Sequence, residues 1–167
     1  IPPSDLLFDP LTFTICTGNE EDRKLGLWTL EAIEQIRDLL PNCQIILGLS
    51  NISFGLNPSA RHVLNSVYLD HALKRGLTGA ILHASKILPL HTISPKEKGA
   101  AEALIFDRVS KGRNPLEDYI AQFTDRDSKK KTVRKRPAEV ELRLKERIID
   151  GDRQGLEEDL DEALQKH

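Results

Sequence analysis

The chain has 167 residues, a formal charge of -2 and 39% hydrophobic residues with one Trp and no Met, enough for a modest core in one domain or one domain with an appendage. The near-balanced charge gives no general argument for nucleic acid, no apolar run approaches the length that crosses a bilayer, and no signal-like segment is read after Ile1. Cys16 and Cys43 have neither CxxC spacing nor the density of a secreted disulfide scaffold, so a reducing, cytoplasmic compartment is expected.

The first residue is not Met, and a strand pattern begins almost at once at Asp5-Leu6-Leu7-Phe8. That start reads as the interior of a longer chain, a fragment. Asp9-Pro10 ends the strand because the proline ring disfavours its continuation. The apolar and β-branched patch at 11–17 fits either a second strand or a loop packed across the mouth of a sheet; the loop is favoured. Asn19 with Asp22 three positions on resembles a helix start, and Leu27, Leu30, Ile33, Ile36 and Leu40 then recur at helical intervals until Pro41-Asn42.

Cys43, Ile45, Ile46, Leu47 and Leu49 form a nearly continuous apolar run, the pattern of a parallel strand buried on both faces, spanning about 44–49. Polar residues appear where it ends: Ser50, Asn51 and Ser53 stand between Gly48 and Gly55. Asn57 follows as an N-cap with Pro58 at the first helical position, so the polar motif occupies a strand-to-helix loop. Ligands of α/β proteins bind at the carboxyl ends of strands, which makes this loop the first choice for a site.

The next helix presents Val63, Leu64, Val67, Tyr68, Leu69, Ala72 and Leu73 before Gly76 as C-cap. A strand is expected at 77–82, then a helix from Ser94-Pro95-Lys96-Glu97 to about Ser110, and a short one after Asn114-Pro115. Successive strand-to-helix units suit a doubly wound sheet or a (β/α)8 barrel. Composition shifts at Thr124: seven basic residues fall within 126–136, a stretch without an apolar face that reads as a linker. Val140, Leu144 and Ile148, with Leu142 and Ile149 beside them, define one further helix, and Leu156, Leu160, Ala163 and Leu164 another; alone they cannot bury both apolar faces. His62 and His71, nine positions apart, are not expected to share a metal.

Asp5-Leu6-Leu7-Phe8-Asp9-Pro10, Leu47-Gly48-Leu49-Ser50-Asn51-Ile52-Ser53-Phe54-Gly55-Leu56 and Val63-Leu64-Asn65-Ser66-Val67-Tyr68-Leu69-Asp70-His71-Ala72 together resemble the pterin-binding domain of the cobalamin-dependent methionine synthase family. Leu144-Lys145-Glu146-Arg147-Ile148-Ile149-Asp150-Gly151-Asp152 resembles the opening of that family's helical cap over its cobalamin module. The resemblance implies an α/β fold, the C-terminal portion of a (β/α)8 TIM barrel at 1–124, a basic linker at 125–137 and the first helices of an all-α cap at 138–167. It implies transfer of the N5 methyl group of 5-methyltetrahydrofolate to cob(I)alamin, the methyl then passing to homocysteine in the full enzyme.

By the same resemblance Asp9 binds the pterin ring, and Asn51 is both a substrate contact and the catalytic group near pterin N5, its amide able to donate or accept as N5 gains a proton. Ser50 and Ser53 either orient Asn51 and bind through water or cap the loop locally. His83 and Asn65 are candidate supporting groups. No metal ligand is assigned, and the corrinoid-binding Asp-x-His-x-x-Gly pattern does not occur. Expected partners are the folate, a cobalamin-binding module in the same chain or in a separate corrinoid protein, and a homocysteine module; no membrane is expected. Other readings are a non-catalytic pterin-binding or interaction module, a nucleic-acid tail at 126–136, and a dihydropteroate synthase, which the motif at 48–56 fits less well.

Overall fold

The computed structural model describes residues 1–109, 112–124, 137–150 and 155–166. Two compact units divide the chain, Ile1–Lys130 and Lys131–His167. The basic stretch expected as a linker and Ser110 lie outside the described residues.

Three parallel strands, β1 (Leu7–Phe8), β2 (Gln44–Gly48) and β3 (Gly79–Ile81), lie side by side in chain order, Leu7 opposite Gln44 and Leu47 opposite Ala80. Two helices make the crossovers: α1 (Leu25–Leu39) between β1 and β2, α2 (Pro58–Arg75) between β2 and β3. The first unit is therefore a mixed α/β fold with a small parallel sheet. After β3 come α3 (Pro95–Ile105) and α4 (Pro115–Ala121), which pack on each other while α3 also packs on α2.

The core lies between sheet and helices. Ile45 and Leu47 of β2 are buried with Leu30 and Ile33 of α1 and Val63, Leu64 and Val67 of α2. Tyr68 and Tyr119 are wholly buried, and each hydroxyl donates to a backbone carbonyl, of Gly26 (3.0 Å) and Ala60 (2.8 Å) respectively, so neither leaves an unpaired O–H. Ile46 is only partly covered, so β2 is buried fully on its helix-facing side alone. That departs from the expected two-sided burial, because the described helices cover one face of the sheet.

The capping signals at Asn57, Ser94 and Gly76 operate as written. Asn57 Oδ1 accepts from Ala60 N–H (2.8 Å), Ser94 and Glu97 form a reciprocal capping box, and Gly76 ends α2 at φ 111°, where only glycine is unstrained. Boundaries are tighter than expected. Pro3–Asp5 is a 3-10 turn, leaving β1 two residues; α1 begins at Leu25, because Asp22 accepts from Thr17 Oγ1 (2.6 Å) and Asn19 Nδ2 (3.2 Å) in a preceding turn. β3 starts at Gly79: Thr78 N–H still donates to Ile45 O (3.0 Å), but Ile45 N–H donates to the Thr78 hydroxyl (2.8 Å) in place of a backbone carbonyl. α3 stops at Ile105, before Asp107 takes a φ of 48°.

The second unit contains α5 (Val140–Asp150) and α6 (Leu156–Lys166). Val140 is buried, whereas Ile148, Leu160 and Leu164 of the expected apolar stripes are exposed, as two helices too few to bury both faces leave them. The buried seam holds Arg147 and Asp159, joined at 2.5 Å, with Arg143 on the other Asp159 oxygen (2.8 Å) and also on Glu162. These arginines hold the Asp159 carboxyl below the usual carboxylate range, the hydrogen bond from Arg147 foremost. Among the described residues no helix is long and apolar enough to cross a membrane.

Candidate active site

Strand β2 ends at Gly48, and the chain tightens at once into a 3-10 turn, Leu49–Ser53. Its alternation separates anchor from display: Leu49 and Ile52 are wholly buried, whereas Ser50 is half-buried and Asn51 exposed. The carboxamide of Asn51 has no hydrogen-bond partner among the described residues.

Ser53 does not face outward. Its side chain is fully buried, its hydroxyl donates to Ser50 O (3.2 Å) and accepts from Arg61 Nε (3.1 Å), and Arg61 Nη2 donates to the same Ser50 carbonyl (3.1 Å). Ser53 thus acts here as an internal strut of the turn. Gly55 needs its φ of 99°, and a Cβ there would meet Cys16 O only at ordinary contact, 3.7 Å, so conformation and not crowding requires glycine. At Gly48 a Cβ would lie 3.7 Å from Asn51 Nδ2, so a longer side chain would enter the space beside that carboxamide.

Asp9 follows β1, with one carboxylate oxygen accepting from Leu11 N–H (2.9 Å). That bond supports a turn in which Leu11 adopts φ 65°, a strained conformation for a branched residue. The loop at 11–17 is then tied across the 3-10 turn: Thr14 Oγ1 donates to Phe54 O (2.8 Å) and Ile15 N–H to Ile52 O (3.3 Å). Burial raises the Cys16 thiol from 9.0 to about 11, with Thr14 and Arg61 pulling the other way, so it is neutral near pH 7 and no ready nucleophile.

The outcome is one cavity of about 350 Å³ shared by Asp9 and Asn51, with Thr12, Phe13 and Phe54 in its wall. Its size lies within the range of small-molecule sites, roughly 300–1,000 Å³. Phe13 and Phe54 are 54% and 68% exposed, so they offer flat apolar faces next to a carboxylate and a carboxamide, a setting that suits a planar, polar-edged ring. A second, more open cleft of about 740 Å³ adjoins it; Gly48 and Asn51 line both, and Ser50 and His83 line the second. His83 Nδ1 lies 3.0 Å from Ser85 Oγ. Asp9, Asn51 and His83 thus stand past the carboxyl ends of β1, β2 and β3.

Thr12, Phe13 and Phe54 were not singled out by the sequence, where an exposed aromatic reads like any core aromatic. Thr12 is buried with a hydroxyl that has no partner among the described residues. His62 and His71 do not meet: His62 lies near Ser50 and Lys86, and His71 Nε2 is 3.2 Å from Glu102. Among the described residues no group of three or more His, Cys, Asp or Glu is placed to hold a metal ion.

The pterin binding enzyme family matches residues 1–83, from β1 through His83. The methionine synthase of Mycobacterium leprae is 48% identical over 98% of this chain, and that of Mycobacterium tuberculosis 46% identical over the same share. The chain spans 14% of the length of each of these relatives. The site at the strand ends thus falls within residues 1–83, the part of the chain that matches the pterin binding enzyme family, and almost the whole chain is similar to one segment of methionine synthase.

Proposed function

We propose that this chain is part of a methyltransferase that moves the N5 methyl group of 5-methyltetrahydrofolate to cob(I)alamin, within a (β/α)8 barrel of which it contributes the closing strands. The observation that carries the reading is the single cavity shared by Asp9 and Asn51 between two aromatic side chains. The proposed domains are barrel at 1–124, linker at 125–137 and the start of a helical cap at 138–167. Each edge strand, β1 and β3, pairs on one side only among the described residues, which agrees with further strands completing a barrel.

Asp9 keeps one carboxylate oxygen beyond its bond to Leu11, and that oxygen accepts the N–H groups along the pterin edge. Phe13 and Phe54 hold the ring flat. Asn51 lies at N5. As the N5–methyl bond breaks, N5 retains the electron pair and takes a proton, and a carboxamide that accepts or donates follows this change without itself ionising. Ser50 contacts the substrate through water, while Ser53 and Arg61 hold the turn. The residues present do not fit the corrinoid-binding pattern: the sequence has no Asp-x-His-x-x-Gly. In this reading a cobalamin-binding module, in the same chain or a separate protein, holds the methyl acceptor, and another module uses homocysteine.

The test is methyl transfer from labelled 5-methyltetrahydrofolate to supplied cob(I)alamin, with and without a separately expressed corrinoid module. Asn51→Ala is expected to lower the rate about 10²–10³-fold, the usual loss for one transition-state hydrogen bond, with an unchanged thermal midpoint. An unchanged rate removes Asn51 from the chemistry; folate binding with no transfer by the wild type points to a binding module instead.

A further inference from the structure

The rim cleft continues past Ser50 and His83 into a smaller cavity of about 180 Å³ that the mechanism does not use. Its lining is basic and polar: Arg61, His62, Lys86, Asn65 and the two shared residues, with no carboxylate among the described residues. The space is too small for a whole cofactor but large enough for one anionic group and its water.

Three features point to a negatively charged occupant. Arg61 spends Nε and one Nη2 bond on the turn below, leaving further guanidinium N–H groups uncommitted. Lys86 is exposed and has no carboxylate partner among the described residues. Asn65 is only 6% exposed, yet its carboxamide has no hydrogen-bond partner among the described residues and its Oδ1 is fully buried. The buried Oδ1 calls for a donor such as a water, while Nδ2 supplies two N–H donors that an anionic group can take. Arg61 also lies in the opening turn of the 18-residue helix α2, the end that favours negative charge, with His62 next to it. The wall is fixed rather than loose, because Leu88 N–H bonds to Ser66 Oγ (2.8 Å) and holds the segment bearing Lys86 against α2.

We propose that this cavity is an anion subsite that takes a carboxylate at the glutamate end of the folate whose pterin ring lies between Asp9 and Asn51. The inference rests on the pterin reading. The open cleft between the two cavities, sharing Asn51 with one and His83 with the other, accommodates the benzoyl part of the same molecule.

The experiment titrates the full chain with 5-methyltetrahydrofolate, with 5-methyltetrahydropteroate, which lacks the glutamate, with p-aminobenzoylglutamate and with inorganic phosphate. Each is repeated on Lys86→Gln and Lys86→Glu. The expected result is tighter binding of the folate than of the pteroate, and a loss of about tenfold for the folate in Lys86→Glu, less in Lys86→Gln, with pteroate binding unchanged in both. Equal affinity of folate and pteroate, or equal loss for both, overturns the subsite and leaves the pterin reading standing. Phosphate binding that depends on Lys86 without any preference for the glutamate-bearing ligand also overturns it, by assigning the cavity to a free anion. If the wild type binds p-aminobenzoylglutamate through Lys86 but neither pterin compound, the pterin reading falls and the carboxylate site stands. If it binds none of the four, both fall.

Discussion

Asp9 has two jobs that a single substitution can separate. Its Oδ1 closes the turn at Leu11, and the residue lines the cavity shared with Asn51, where its other oxygen is proposed to bind the pterin. Asp9→Asn keeps an acceptor for Leu11 N–H but removes the charge, whereas Asp9→Ala removes both. Both variants are expected to lose pterin affinity, by about tenfold or more for a charge-assisted bond; Asp9→Ala alone should lose stability, by about 1 kcal/mol. Calorimetric titration and urea unfolding check the two halves, and full ligand affinity in Asp9→Asn would leave Asp9 with the turn alone. From the sequence, Asp9 could be read as a turn former or as a ligand, and the structure shows that the turn consumes only half of the carboxylate. Ser53 is the reverse case: its position in a polar motif suggested a contact, but its hydroxyl is taken by Ser50 and Arg61. Sequence spacing does not reveal which way a side chain points from a 3-10 turn.

The elements that position the site depend on close approach. Gly26 of α1 lies under the 3-10 turn, where a Cβ would come within 3.0 Å of Ile52 Cδ1 and 3.3 Å of Ile15 Cγ2. Gly26→Ala gains about 1 kcal/mol of helix propensity and loses about 1–3 to overpacking. Because Ile15 and Ile52 are both buried, a net loss of about 1 kcal/mol is expected, with weakened pterin binding because Ile52 is next to Asn51. Denaturant unfolding and ligand titration check this; a stabilised variant with full affinity would show that the packing yields freely. Helix starts and stops that rest on a local cap, such as Asn57, Ser94 and Gly76, were legible in sequence. The start of α1 was not, because Asn19 and Asp22 bonded to each other in a turn instead of capping a helix. In α5 and α6 the apolar periodicity was legible, with more apolar face than the pair could bury, but the Arg147–Asp159 pair between them was not, since periodicity says nothing of which charged groups meet.

At the scale of the whole chain, the buried Cys16, Tyr68 and Tyr119 hold their protons more tightly folded than unfolded. Burial raises Cys16 from 9.0 to about 11, and burial likewise raises the phenols of Tyr68 and Tyr119. A raised folded value means that the stabilisation is complete below the unfolded value and is lost as pH rises towards the folded one. Stability should therefore fall from about pH 9, where an unfolded thiol ionises, and more steeply above about 10, where unfolded tyrosines do; thermal melts across that range check it, and a flat midpoint would contradict it. The parallel strand-to-helix order was legible because caps and apolar runs repeat it, but the shared cavity was not, because it depends on the loop at 11–17 crossing the turn after β2. The central claim is that Asp9 and Asn51 address one ring. The most direct measurement is to add 5-methyltetrahydrofolate to isotope-labelled chain and follow the Asp9 carboxylate, the Asn51 carboxamide and the rings of Phe13 and Phe54 by NMR. All four are predicted to shift together along one saturation curve; a ligand that moves Asn51 and leaves Asp9 and both rings unmoved would contradict the account.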